Sequence, residues 1–206
     1  MRNFLLLLIL CILISGCAIG NTHRYDLGDA NFDIKSDNTV AAAVVDLRPY
    51  VISGEKTPDF SGLMRGGFGN PFDITTDSGK PLAADMTASI VKSLAKAGVS
   101  AVGVTVPNGK AADVREKLIE TGADRFALLL VKEWKSDTYS NTRLTYALSL
   151  QVLKQDGSVV GEKDLTGDEN MGRLGLPVDV RFGIEKAFRQ KIEQLFGDPE
   201  VVTALQ

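Results

Sequence analysis

The chain has 206 residues, 44% of them hydrophobic and 24% charged, with a formal net charge of −3. That length suits one domain of ordinary size with a core able to fold alone. The acidic balance offers nothing to a nucleic acid, whose binders usually carry a basic patch. Two cysteines and a single histidine exclude most metal and thiol chemistry.

The N-terminus reads Met1-Arg2-Asn3, then runs from Phe4 to Leu13 without a charge. A positive start before a short apolar core is the layout of a secretory signal. The stretch is too short to span a membrane, which needs about 20 apolar residues. It ends in Leu13-Ile14-Ser15-Gly16-Cys17. An aliphatic residue, two small residues and a cysteine resemble the lipobox of bacterial lipoproteins. The resemblance implies cleavage before Cys17 and acylation of its thiol with palmitate-like chains. Several chains hold far more firmly than one, at about 0.8 kcal/mol per buried CH₂. An ordinary signal peptide with a coincidental cysteine, or a short uncleaved anchor, is the competing reading. Ala18, where enteric sorting rules place Asp for retention in the inner membrane, points to the outer membrane, facing the periplasm. Cleavage leaves the mature chain at −4, because Arg2 departs with the signal, and leaves no free thiol, because Cys11 departs too.

Residues 18–38 are polar and aperiodic, so the division is signal peptide 1–16, lipidated Cys17 and tether 17–38, and one α/β domain 39–206. About twenty extended residues reach some ~60–70 Å, and His23 reads as a solvated part of that linker. The segment around Phe32-Asp33-Ile34 is the part that an edge of the sheet could recruit.

Val40–Arg48 is a mostly apolar run typical of a strand covered on both faces, closed by Pro49. A short strand at Tyr50–Ile52 and a long loop to Lys80 follow. Leu82, Met86, Ile90 and Leu94 recur every four residues, behind Pro81 and ahead of Gly98, which predicts an amphipathic helix. Val99–Val106 reads as a strand, Pro107-Asn108-Gly109 as a turn, Ala111–Thr121 as a helix and Phe126–Val131 as a buried strand. Leu144, Tyr146, Leu148, Leu150 and Val152 alternate with polar or small residues, as in an antiparallel strand with one wetter face. Asp156-Gly157 turns it into a strand at Ser158–Leu165. A final helix spans Val178–Phe196. The order β-α-β-α-β-β-β-α predicts a two-layer α/β (α+β) sandwich: a mixed sheet of about five strands, with helices mainly on one face.

Catalytic patterns are sparse. With no histidine or cysteine in the predicted domain, nucleophilic triads and His/Cys metal sites are excluded, and no cofactor or metal is expected. Gly79-Lys80 and Gly109-Lys110 lack the upstream glycines of a phosphate loop. Asp46, Asp59, Asp73 and Asp77 could supply a paired-carboxylate hydrolase, whereas Asp46 and Arg48 read more simply as an ion pair at a strand end. The most informative internal feature is Phe60 to Phe72, where Phe60, Leu63, Met64, Phe68 and Phe72 stand among glycines in an unusually long connection. Such side chains suit a partner surface, or else they fold back over an open sheet edge.

Val44-Val45-Asp46-Leu47-Arg48, the Leu82–Ala97 helix, Val106-Pro107-Asn108-Gly109 and the alternating Thr142–Lys154 strand, together with the lipobox, resemble the YajG-like family of bacterial lipoproteins. That resemblance implies location and architecture but no catalytic residue, and the Gly/Phe loop is outside the family pattern. The expected function is a non-catalytic, membrane-anchored envelope lipoprotein that binds a protein partner or cell-wall component. The alternatives are a carboxylate enzyme acting on peptidoglycan or glycan, and an accessory lipoprotein of a transport or secretion complex.

Overall fold

Strand β2 (Val40–Asp46) is buried along nearly its whole length, as its apolar run requires. Val40, Ala42 and Val44 enter one core, and Ala41, Ala43 and Val45 enter a second on the opposite face. The architecture comes from a computed structural model in which residues 21–106, 110–173 and 177–206 are described. Around β2 the chain forms β1 (Thr22–His23), α1 (Pro49–Ile52), β3 (Phe60–Arg65), β4 (Pro71–Thr76), α2 (Leu82–Lys96), β5 (Ala101–Val104) and α3 (Ala111–Glu120). There follow β6 (Arg125–Thr138), β7 (Thr142–Lys154), β8 (Val159–Asn170), α4 (Pro177–Phe196) and α5 (Pro199–Leu205). The turn expected at 107–109 lies outside the described residues, as do the signal peptide and Cys17.

All eight strands join one curled, mixed sheet. The expected sheet of about five strands in the order β-α-β-α-β-β-β-α is corrected here. Strand β6 organises the sheet: along one side it pairs throughout with β7, antiparallel, and β7 pairs with β8. Along its other side it pairs first with β2 and then, past a bulge between Val131 and Glu133, with β3. A single long strand thus carries two parallel partners end to end, and the sheet forks between them. Helices α2, α4 and α5 fill one face through Leu82, Met86, Ile90, Leu94, Ile184, Phe188, Leu195 and Val201. Helix α3 covers part of the other with Val114 and Leu118.

Two extra strands come from the stretch read as a loop. β3 and β4 form an antiparallel hairpin, and Tyr50–Ile52, expected as a strand, lies in the short helix α1. Glycine hides the hairpin in the sequence. At Gly62 the strand passes so close to β6 that a Cβ would lie 2.0 Å from Ser136 Oγ. The residue that looks like a loop signal is the one that permits pairing. Strand β8 outruns its expected end at Leu165 for the same reason: a Cβ at Gly167 would meet the Tyr146 hydroxyl at 2.4 Å.

The third unexpected strand lies in the segment read as a tether. β1 pairs in parallel with β4, Thr22 beside Thr75 and His23 beside Thr76. Beyond it Tyr25, Ala30 and Ile34 are buried in the larger core, and Phe32 stacks on Phe196 at 4.5 Å. From residue 21 the chain is therefore a strap bound to the domain, not a solvated linker.

Candidate functional site

The strap is held by a buried polar network as well as by apolar packing. Trp134 Nε1 donates to the Tyr25 hydroxyl at 2.9 Å. The same hydroxyl lies 3.2 Å from His23 Nδ1, and Ser61 Oγ lies 3.3 Å from that nitrogen. His23, expected in solvent, is 1% exposed. Burial pushes its imidazole down to about 3, and the charge of Arg181 acts in the same direction. The histidine is thus brought beside a serine after all, but both side chains are buried, His23 at 1% and Ser61 at 0% exposure.

This burial has a pH signature. Between about pH 6.5 and about 3 the unfolded chain takes a proton on His23 that the folded chain refuses. Stability from this group is complete above the unfolded value and is lost as pH falls, by up to about 1.4 kcal/mol per unit. Chemical denaturation of His23→Gln should show that part of the acid sensitivity removed. An unchanged slope would mean that His23 takes no part.

At the fork, Arg48 is fully buried. Its Nε and Nη2 donate to the two Asp46 carboxylate oxygens at 2.8 and 2.6 Å. Its Nη1 donates to the carbonyls of Phe60 at 2.6 Å and Trp134 at 3.3 Å. One side chain thereby joins the end of β2, the start of β3 and the bulged stretch of β6. Burial opposes the guanidinium charge, but the Asp46 carboxylate outweighs it and holds the pKa above its ordinary value. Tyr50 donates to Glu133 beside this pair. Asp46 and Arg48 thus form the strand-end ion pair that their spacing suggested.

The other candidate carboxylates are dispersed. Asp73 pairs with Lys56 at 2.6 Å, and Asp77 accepts from Thr22 at 2.6 Å and pairs with Arg181 at 3.2 Å. The carbonyl of Asp59 accepts from Thr76 N. None of these shares the open depression of about 330 Å³ bordered by Asn38, Asp124, Arg125, Lys154, Gln155 and Asp156. Among the described residues no group of three or more His, Cys, Asp or Glu could hold a metal ion.

The five hairpin residues do not form one patch. Phe60 is buried against Tyr50 and beneath Lys56, and Met64 packs against the main core. Leu63 and Phe72 are half-buried. Phe68 alone stands clear, 97% exposed at the tip. Sequence reasoning singled out Phe32-Asp33-Ile34 as a segment the sheet edge could recruit, and it packs into the core without forming a strand; it missed Tyr25, whose apolar ring among polar neighbours was the only signal.

These features define a mixed α+β domain with an internally bound N-terminal strap and a projecting hairpin. No helix among the described residues is long and apolar enough to cross a membrane. No family model and no curated protein matches the chain. Among solved structures, a Xanthomonas campestris protein of family DUF330 shares the fold, with a TM-score of 0.55 and 15% identity over 91% of this chain and 94% of that one. Lesser likenesses are to the PelC dodecamer from Paraburkholderia phytofirmans (TM-score 0.43, 16% identity, 86% and 92% covered) and to lipoprotein GNA1162 from Neisseria meningitidis (0.31, 12%, 76% and 98%). At these identities the first likeness establishes the fold, and the other two inform nothing further.

Proposed function

We propose that this chain is a non-catalytic, YajG-like lipoprotein of the bacterial cell envelope. It is acylated on Cys17, faces the periplasm from the outer membrane and binds a protein partner or cell-wall component there. The observation that carries the reading is the Leu13-Ile14-Ser15-Gly16-Cys17 run after a short uncharged apolar stretch. The pairing of Asp46, Asp73 and Asp77 with cations supports a binding role over a hydrolytic one.

The bound strap changes what the anchor does. Thr22 is already in the sheet, and only five residue steps separate it from Cys17. At most ~3.3–3.6 Å per residue gives roughly 16–18 Å. The domain would work against the bilayer surface, with any partner approaching from the periplasmic side.

The test is metabolic palmitate labelling and membrane fractionation of the full chain and of Cys17→Ala. The wild type should incorporate label and sediment with outer membranes; the variant should lose the label and appear soluble or unprocessed. Processed Cys17→Ala that stays with the membrane would sink the proposal.

A further inference from the structure

We infer that the β3–β4 hairpin tip is a second membrane contact, its Phe68 ring entering the bilayer interface beside the lipid anchor. The inference rests on acylation of Cys17 and concerns which surface of the domain that anchor brings to the lipid.

Strand direction sets the geometry. β4 runs away from the hairpin tip, and β1 is parallel to it. Followed toward its N-terminus, the strap at Thr22 therefore heads back to the tip end of the sheet. Thr22 sits beside Thr75, four residues past the start of β4 at Pro71, or about 13 Å at ~3.3 Å per residue. Cys17 lies within roughly 16–18 Å of Thr22 along the chain. The described strap thus points toward the hairpin tip, and the tip lies within the chain's reach of the lipid attachment that the proposal places on Cys17.

That end has the surface a bilayer interface accepts. Phe68 is 97% exposed in a turn closed by Gly69 N donating to the Gly66 carbonyl at 2.8 Å and Gly66 N to that of Asn70 at 2.9 Å. Gly69 has φ +80°, which a side chain there would strain. The β6–β7 turn stands beside it, with Tyr139 58% exposed and its hydroxyl donating to the Gly67 carbonyl at 3.4 Å. Neither turn, 66–70 or 139–141, contains a charged residue. Among the described residues the large exposed aromatics are Phe68, Tyr139 and Phe182 on α4; the end that holds the β7–β8 turn exposes aliphatic Ile119 and Val159 instead. Aromatic rings on two turns without charge, backed by the paired Arg65 and Asp137, suit the headgroup boundary, where amphipathic surfaces seat such side chains. A convex tip of two turns suits a deformable lipid surface better than a shaped protein interface, which needs fitted area.

The test uses the full acylated chain with Phe68→Trp, and with Val159→Trp as the distal control. Each is reconstituted into phosphatidylethanolamine–phosphatidylglycerol vesicles with and without brominated acyl chains. Both sites are exposed, so neither substitution disturbs the core, and the single native tryptophan, Trp134, is fully buried and adds the same background to each. Brominated lipid should remove more than half of the emission added at position 68 and shift the remainder to shorter wavelength, leaving that at 159 unchanged. Equal, weak quenching at both sites would overturn the contact. A blue shift at 68 without quenching would also overturn it, because protein and not lipid would then cover the tip. Mass spectrometry separates the two readings: no acyl group on Cys17 removes the anchor and the contact together. An acylated, vesicle-bound chain unquenched at 68 removes the contact alone.

Discussion

Arg48→Met is expected to lower the stability of the domain by about 3–5 kcal/mol, the usual consequence of removing one partner of a buried ion pair. The loss has two parts. The Asp46 carboxylate, only 14% exposed, is left without its cation. The carbonyls of Phe60 and Trp134 lose a shared donor, though Trp134 keeps the Tyr50 hydroxyl at 3.4 Å, and a lost donor to a buried acceptor is costly in itself. Methionine fills comparable volume, so the cavity contribution is small. Arg48→Lys should recover a minority of the loss, because an ammonium cannot grip both carboxylate oxygens while reaching two carbonyls. In the Asp46→Asn background the cost of Arg48→Met should shrink, since no unpaired charge remains. Urea unfolding of the full chain measures all of these. A loss below about 1 kcal/mol for Arg48→Met would show that the fork is held by strand pairing alone.

Tyr25→Ala is expected to cost about 3–5 kcal/mol, the range for emptying a buried aromatic site, and to free the strap before the rest of the domain unfolds. Tyr25 meets Trp134 edge-on at 6.1 Å and Phe188 at 5.3 Å, and its hydroxyl is the acceptor for the Trp134 indole. The contacts left after its loss include the Arg189–Asp29 pair at 3.0 Å, 44% exposed on the aspartate side, and exposed pairs hold little. Limited trypsin digestion should then cut at Arg24 and Lys35 while the remaining domain resists. Tyr25→Phe keeps the packing, strands the indole N–H and should release the strap far less. Resistance of Tyr25→Ala to trypsin at those sites would show that the strap is held elsewhere. Release has a functional consequence under the anchored reading. The tether grows from five residue steps to about twenty, and its reach from roughly 16–18 Å toward ~60–70 Å. Partner capture near the membrane should change accordingly.

The elements legible in the sequence share one property: each buries a face through its own periodicity. Leu82, Met86, Ile90 and Leu94 mark α2 because a helix repeats every 3.6 residues, and all four are buried. Leu144 to Val152 mark β7 because one face is apolar, and β7 pairs antiparallel with β8 through the expected turn and with β6 on its other side. The Asp46–Arg48 pairing was legible too, since residues two apart on an extended chain share a side.

What remained hidden depends on neighbours distant in sequence. Gly62 and Gly167 look like loop residues because glycine weakens an isolated strand, yet here each makes room for a group on the next strand. Tyr25 shows no period, because a strap is bound residue by residue and not on one regular face. His23 looked solvated because a polar residue in a polar stretch carries no sign of burial; Ser61 of β3 beside it, and Trp134 of β6 holding its neighbour Tyr25, decide otherwise. The sequence by itself determined the principal helices and the alternating strand, set by local periodicity. The tertiary structure alone decided the forked sheet and the bound strap, because long-range packing and strand direction, which no local pattern encodes, set both.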